Sequence, residues 1–277
     1  MCFPYEYEIE TRGRCNMIYI IAGKLNAAVR ALEVFHKMGI DPLIYVSTGE
    51  ERIKGMNSLK EYANKTGSRI IREISEIYGR KVFFLSVECD KIIDKKLFEK
   101  GSKFFNVHFS LLPKYRGTMT SFWPIVFGEH ETGVTLHEID EGIDTGEIIS
   151  QIKFEIKGEY TCRDLYFKYH ENASKLVEEV IPCIVQGKYG SFPQENRNAT
   201  SFPRFLYHHF PKEFCSKQLK LMEKRQVYNI LRALIFREFQ LPSIDGKKIT
   251  AVSLKPLDTT TLSIQTNSGN VYVEIAD

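Results

Sequence analysis

Four short apolar runs, separated by helical patterns, constrain this chain more than any other feature. They are Met17–Ala22 ("MIYIIA"), 42–47 ("PLIYVS"), 81–87 ("KVFFLSV") and 103–109 ("KFFNVHF"). A strand with one wet face alternates apolar and polar residues, whereas these runs are almost wholly apolar, as in strands covered on both faces. Between them lies a helix pattern over 27–38, with Ala28, Ala31, Leu32 and Phe35 on one face. Further helices are predicted over 58–66 and 94–100, and a short strand at 69–71. Strands alternating with helices predict a mostly parallel, Rossmann-like sheet of the α/β class. A helix over 118–127, strands at 133–139 and 147–152 and a long helix at about 161–187 complete this large domain.

The pattern divides the chain into four parts. Residues 1–16 are polar and unpatterned and read as an N-terminal arm, and 17–190 form the large domain. Residues 191–224 carry prolines and many polar groups and read as a connecting segment. Residues 225–277 give a short helix and then three alternating runs, "ITAVSLK", "LSIQT" and "VYVEI", which predict a small β-rich appendage.

Several function classes are disfavoured. A net charge of +3 is too mild for wholesale wrapping of nucleic acid. The six cysteines, at 2, 15, 89, 162, 183 and 215, include no Cys-x-x-Cys pair and read as reduced thiols, with no metal spacing among them. The acidic N-terminal stretch lacks signal-peptide character, and no run is long and apolar enough for a membrane helix, so a cytoplasmic protein is expected. After the first strand the chain reads "GKLNAA" in place of a Gly-x-Gly-x-x-Gly fingerprint, and no Walker sequence occurs.

The chemistry concentrates in "FNVHFSLLPKYRG". On a strand, Asn106 and His108 share a face, and they stand near the strand's carboxyl end, where open α/β sheets place ligands. A third polar group, Asp144, lies in the Gly-rich acidic turn "EIDEGIDTGEI". Histidine can accept a proton near neutral pH, a carboxylate can orient it and support its cation, and an asparagine amide can donate to a developing oxyanion. Ser110 is the nearest hydroxyl, but no nucleophile elbow surrounds it. Such a set suits direct attack of a substrate amine on an acyl carbon, with no covalent enzyme intermediate.

These residues carry a resemblance. "NVHFSLLPKYRG" followed by "TGVTLHEIDEGIDTGEIISQ" resembles the signature of the 10-formyltetrahydrofolate-dependent formyltransferases, a likeness that runs over about residues 17–190. The resemblance implies the formyltransferase fold, catalytic roles for Asn106, His108 and Asp144, and 10-formyltetrahydrofolate as co-substrate; no metal is expected, since no cluster of ligand residues has metal spacing. It also implies donor contacts at Ser86, Val87, Glu88 and Cys89 in "FLSVECDKII", and at Ile139, Asp140, Gly142 and Ile143 in the acidic turn. One departure is visible: the family's usual His-Pro-Ser is here His108-Phe109-Ser110.

The family's acceptors differ. Ser110, Lys114, Tyr115, Arg116, Gly117 and Trp123 are the expected substrate contacts, the basic groups suiting a diphosphate and the rings a base. The short, weakly basic C-terminus resembles that of the nucleotide-sugar N-formyltransferases more than the tRNA-holding barrel of the methionyl-tRNA enzymes. The expected acceptor is therefore a nucleotide-diphosphate amino sugar for surface polysaccharide such as the O-antigen of lipopolysaccharide. No nucleic-acid or membrane partner is expected, and a homodimer is compatible with this reading. Methionyl-tRNA formylation and a non-catalytic folate-binding protein stand as alternatives.

Overall fold

A computed structural model describes residues 17–48, 53–256 and 262–276, so the expected arm at 1–16 lies outside the described residues. The described residues up to Leu112, together with Val134–Ile152 and His170–Asn196, form one compact unit. Pro113–Gly133, Lys153–Tyr169 and the described residues from Arg197 onward form a second.

The strands in the first two thirds of the chain are β1 (Ile18–Gly23), β2 (Leu43–Val46), β3 (Ile70–Ile71), β4 (Val82–Val87), β5 (Lys103–His108), β6 (Arg116–Gly117), β7 (Glu131–Glu138) and β8 (Ile148–Glu155). Seven of them make one sheet in the order β3-β2-β1-β4-β5-β7-β8. Pairing is parallel from β3 through β5, and β5 meets β7 antiparallel. The mostly parallel α/β sheet expected from the apolar runs is present.

The reason for those runs is visible in β4, where all six residues are buried. On one face Phe83 packs against Tyr19, Phe35 of helix α1 (Asn26–Lys37) and Phe105, at ring distances of 5.3, 5.9 and 5.0 Å. On the other, Phe84 joins Ile20, Phe98 and Phe104 in a second cluster. Only glycine fits at the last position of β1, because a Cβ on Gly23 would stand 2.3 Å from the Val87 carbonyl oxygen. That close approach brings the carboxyl ends of β1 and β4 together.

Two expected helices differ. Residues 94–100 hold only a 3-10 turn, Lys95–Leu97, begun by Asp94 accepting from the Lys96 amide. A stretch this short closes too few helical bonds to offset nucleation. In the expected helix at 118–127 only α3 (Trp123–Val126) is helical. Gly117 and Met119 adopt φ values of 99° and 60°, and the Thr118 amide donates to the Phe202 carbonyl, so the backbone is committed elsewhere. Helix α2 (Leu59–Thr66) and the long helix α4 (Cys162–Val185) agree with the pattern.

The rest of the chain contains β9 (Ser201–Phe202), α5 (Arg204–His208), β10 (Glu213–Phe214), α6 (Ser216–Leu219) and α7 (Lys224–Leu234). After these come β11 (Ser243–Ile244), β12 (Lys247–Ser253), β13 (Leu262–Thr266) and β14 (Gly269–Ile275). Five of these strands form a sheet in the order β10-β11-β12-β14-β13, around a core of Leu219, Val227, Leu231, Ile249, Val271 and Val273.

Buried ionisable groups give the second unit a predictable alkaline limit. Burial pushes the Cys162 thiol up to about 12 from 9.0, and the Tyr207 phenol up to about 12 from 10.0. Between their ordinary and raised values, the native state keeps protons that the unfolded chain has lost. The stability they contribute is full below about pH 9 and is lost as pH rises through about 12. Urea unfolding at about pH 7, 9 and 10.5 should show a falling midpoint over the last interval. A flat midpoint there would contradict this.

Candidate active site

Asn106 and His108 occupy the carboxyl end of β5, and both reach Asp144. The Asn106 Nδ2 donates to Asp144 Oδ1 at 3.3 Å, and His108 Nδ1 lies 3.5 Å from Asp144 Oδ2. One carboxylate thus serves both residues, as their shared strand face predicts. His108 is 7% exposed, and the shielding strengthens its interaction with the carboxylate.

Asp144 gets there by an unusual backbone. Its φ is 54°, in the left-handed region, where Asp is among the better tolerated residues. The turn around it is tightly stapled. Asp140 Oδ1 accepts from the Gly142 amide at 3.0 Å and from the Thr145 hydroxyl at 2.6 Å. Gln194 Nε2 donates to the Asp144 and Gly146 carbonyls at 2.9 and 2.7 Å. A Cβ on Gly146 would stand 1.8 Å from the Glu138 carbonyl oxygen, so only glycine fits.

The structure adds a histidine that the sequence reading missed. His137 lies directly across from Asn106 in the antiparallel β5–β7 register. Its Nδ1 lies 2.7 Å from the Glu138 carbonyl, which only accepts, so Nδ1 carries the proton. In the neutral ring Nε2 then accepts from Asn106 Nδ2 at 3.1 Å, and it lies 3.5 Å from Asp144 Oδ1. Ser86, expected as a donor contact, donates its hydroxyl to Asn106 Oδ1 at 2.7 Å. Together these bonds settle which way the Asn106 amide faces, with its nitrogen toward Asp144 and His137.

The segment after His108 is held by Thr135, which is fully buried. Its hydroxyl donates to the Ser110 carbonyl at 2.6 Å and accepts from the Leu112 amide at 3.2 Å and Gln151 Nε2 at 2.8 Å. Ser110 is itself fully buried, within the support of this loop.

A family model described as formyl transferase matches residues 61–181. The solved structure of WlaRD, a sugar 3N-formyl transferase studied with dTDP and 5-N-formyl-THF, is 32% identical with a TM-score of 0.82. It covers 95% of this chain and 98% of that one. The N-formyltransferase from Helicobacter canadensis, in complex with folinic acid and dTDP-3-aminofucose, is 33% identical with a TM-score of 0.82, covering 94% and 99% of the two chains. This chain belongs to the sugar N-formyltransferases. A 4-N formyltransferase from Francisella tularensis shares the fold at 19% identity and a TM-score of 0.63, covering 87% of this chain and all of that one.

The remaining expected donor contacts of this formyltransferase lie in two places, the end of β4 with the loop after it and the acidic turn after β7. Val87 is buried at the end of β4. Glu88 follows with φ 63°, and its carboxylate lies between Lys24 and His170. Burial pushes the Cys89 thiol up to about 11, so it stays protonated. The same loop is anchored by Asp90, whose carboxylate accepts from the Thr48 amide at 3.0 Å and from the Thr48 hydroxyl. Burial opposes the Asp90 charge, but these bonds win and hold its carboxyl below the usual range. Ile139 is partly buried against the core, whereas Ile143 is 54% exposed in the acidic turn.

In the second unit, Lys114 Nζ and the Tyr115 hydroxyl both reach Glu129, at 3.4 and 2.8 Å. Burial and Glu129 push the Tyr115 phenol far up, so it remains a donor. Arg116 and Gly117 form β6, paired with β9, and Arg116 is largely buried. Trp123 is 6% exposed and stacks on Phe202 at 4.8 Å, with the Tyr115 ring on Phe202 at 5.4 Å. These rings pack chiefly on one another. Among the described residues, no group of three or more His, Cys, Asp or Glu side chains could hold a metal ion. No helix among them is long and apolar enough to cross a membrane.

Proposed function

We propose that this formyltransferase moves the formyl group of 10-formyltetrahydrofolate to the amino group of a nucleotide-linked amino sugar, in the cytoplasm, as a step toward surface polysaccharide. The carrying observation is the joint reach of Asn106 and His108 to one Asp144 carboxylate. The dTDP and formyl-folate bound to its relatives support the ligand classes.

With Nδ1 turned to Asp144, His108 takes the proton of the attacking amine on Nε2, directly or through a water. As the amine's lone pair forms the new C–N bond, the formyl oxygen becomes an oxyanion. Asn106 turns an N–H to that oxygen, exchanging its 3.3 Å contact with Asp144 for a charge-assisted bond. Asp144 supports the imidazolium that forms. Collapse breaks the bond from the formyl carbon to N10 of the folate, and His108 returns the proton to that nitrogen. The diphosphate of the acceptor is expected to meet Lys114 or Arg116.

Binding across a salt series tests the acceptor class. A nucleotide diphosphate makes few ionic contacts, so dTDP affinity should fall only modestly between about 50 and 200 mM salt. Grip on initiator tRNA through six or more phosphates would fall by about three orders of magnitude or more. Tight, salt-steep tRNA binding without a dTDP response would overturn the sugar reading in favour of methionyl-tRNA formylation.

A further inference from the structure

The loop after β4 faces helix α4 through a pair, Glu88 and the buried His170, that the proposed proton transfers do not use. The sheet order places β2 and β3 on one side of β1 and β4 and β5 on the other, so strand order reverses between β1 and β4. Open α/β sheets bind ligands outside the strands' carboxyl ends at such a switch point. Lys24 follows β1 directly and Glu88 follows β4 directly, and their charges face each other at 3.9 Å. Glu88 takes a left-handed backbone, φ 63°, that costs a residue with a side chain and persists only where its surroundings enforce it.

The group that the Glu88 carboxylate faces on the helix side is His170. It projects from α4 and is 1% exposed. Its Nδ1 accepts from the Ala27 amide at 3.4 Å, so the proton sits on Nε2, which faces Glu88 Oε2 at 3.0 Å. The same ring meets Phe109 edge-on, with centroids 5.0 Å apart and planes at 82°. Phe109 is the residue next to His108, at the place where this chain departs from the family's proline. One buried imidazole thus touches both the residue after β4 and the residue after the proposed base.

We propose that His170 is a positioning residue that couples the formyl-donor loop at Glu88 to the strand end carrying His108. The proposal rests on the reading of the donor as a formyl-folate seated at the β1/β4 switch point. His170 touches neither ligand. It holds Glu88, and with it the backbone of the loop, in register with Phe109 and His108. A merely structural histidine would, when lost, loosen all ligands alike. A positioning one should affect the donor selectively.

The test measures the dissociation constants of 5-formyltetrahydrofolate and of dTDP for the full chain and its variants. With His170→Ala, the folate constant should rise about tenfold or more while that for dTDP stays within about twofold. His170→Gln, whose amide N–H can reach Glu88, should recover most of the folate affinity. Unchanged folate binding by folded His170→Ala, or equal weakening toward both ligands, would overturn the proposal. If His170→Ala does not fold, the same two outcomes are read on His170→Phe, which keeps a ring against Phe109 but has no N–H to offer Glu88. Wild-type protein that binds dTDP but not the folate would instead sink the donor reading itself, and this inference with it.

Discussion

Replacing His108 with alanine should lower turnover about 100- to 10,000-fold while the protein stays folded, because the amine then has no positioned base. The same range is expected for Asp144→Asn. This replacement suits the test better than alanine, because residue 144 sits at φ 54° and asparagine tolerates that backbone. Asn keeps the size of the side chain but removes the charge that faces His108 at 3.5 Å, so it separates support of the imidazolium from loop shape. Steady-state kinetics, with far-ultraviolet circular dichroism as the folding check, decides the matter. A folded His108→Ala enzyme retaining more than about a tenth of wild-type turnover would refute the assignment.

The second large effect concerns Asn106. Losing an oxyanion donor costs about 100- to 1000-fold in turnover, and Asn106→Ala should fall in that range with the acceptor's KM little changed. The substitution also strips the Ser86 hydroxyl, which is buried, of its acceptor, at a stability cost of about 1–3 kcal/mol. Rates therefore need correction for the folded fraction. A turnover loss below about tenfold after that correction would mean that the oxyanion is held by something other than Asn106.

Much of this was legible in the sequence, and the reasons differ from residue to residue. The β4 and β5 runs reported a sheet buried on both faces because the packing of Phe83, Phe84, Phe104 and Phe105 leaves neither face wet. Asn106 and His108 were legible as a pair because a strand's period of two is local information. His137 was not, since its place depends on the antiparallel register of β7 with β5, which no short window contains. A strand predicted at 133–139 and set beside β5 would have found it. Thr135, Gln151, Gln194 and His170 escaped for the same reason: their partners lie 16 to 143 residues away in the chain. The shortened helix at 118–127 shows the opposite failure. Local apolar spacing suggests a helix from 118, but next to the β6–β9 pair the Thr118 amide donates to the Phe202 carbonyl and Met119 takes a left-handed φ of 60°.

The departure at Phe109 also changes its meaning with the structure in hand. As sequence it is the loss of a proline's constraint next to the proposed base. In the fold the ring is buried against His170, so a side-chain contact restrains a segment that a pyrrolidine would otherwise restrain by its fixed φ.

Direct formyl transfer is tested most plainly by quantifying every product of one reaction. The purified enzyme is mixed with 10-formyltetrahydrofolate and a dTDP-linked 3-amino sugar, quenched over time, and assayed by mass spectrometry for formylated sugar nucleotide, tetrahydrofolate, formate and formylated protein. Formylated sugar nucleotide and tetrahydrofolate should appear in equal amounts, with no formyl group on the protein at any time and almost no product from His108→Ala. Release of tetrahydrofolate with free formate and no formylated sugar, or a formyl-protein adduct that decays into product, would contradict it.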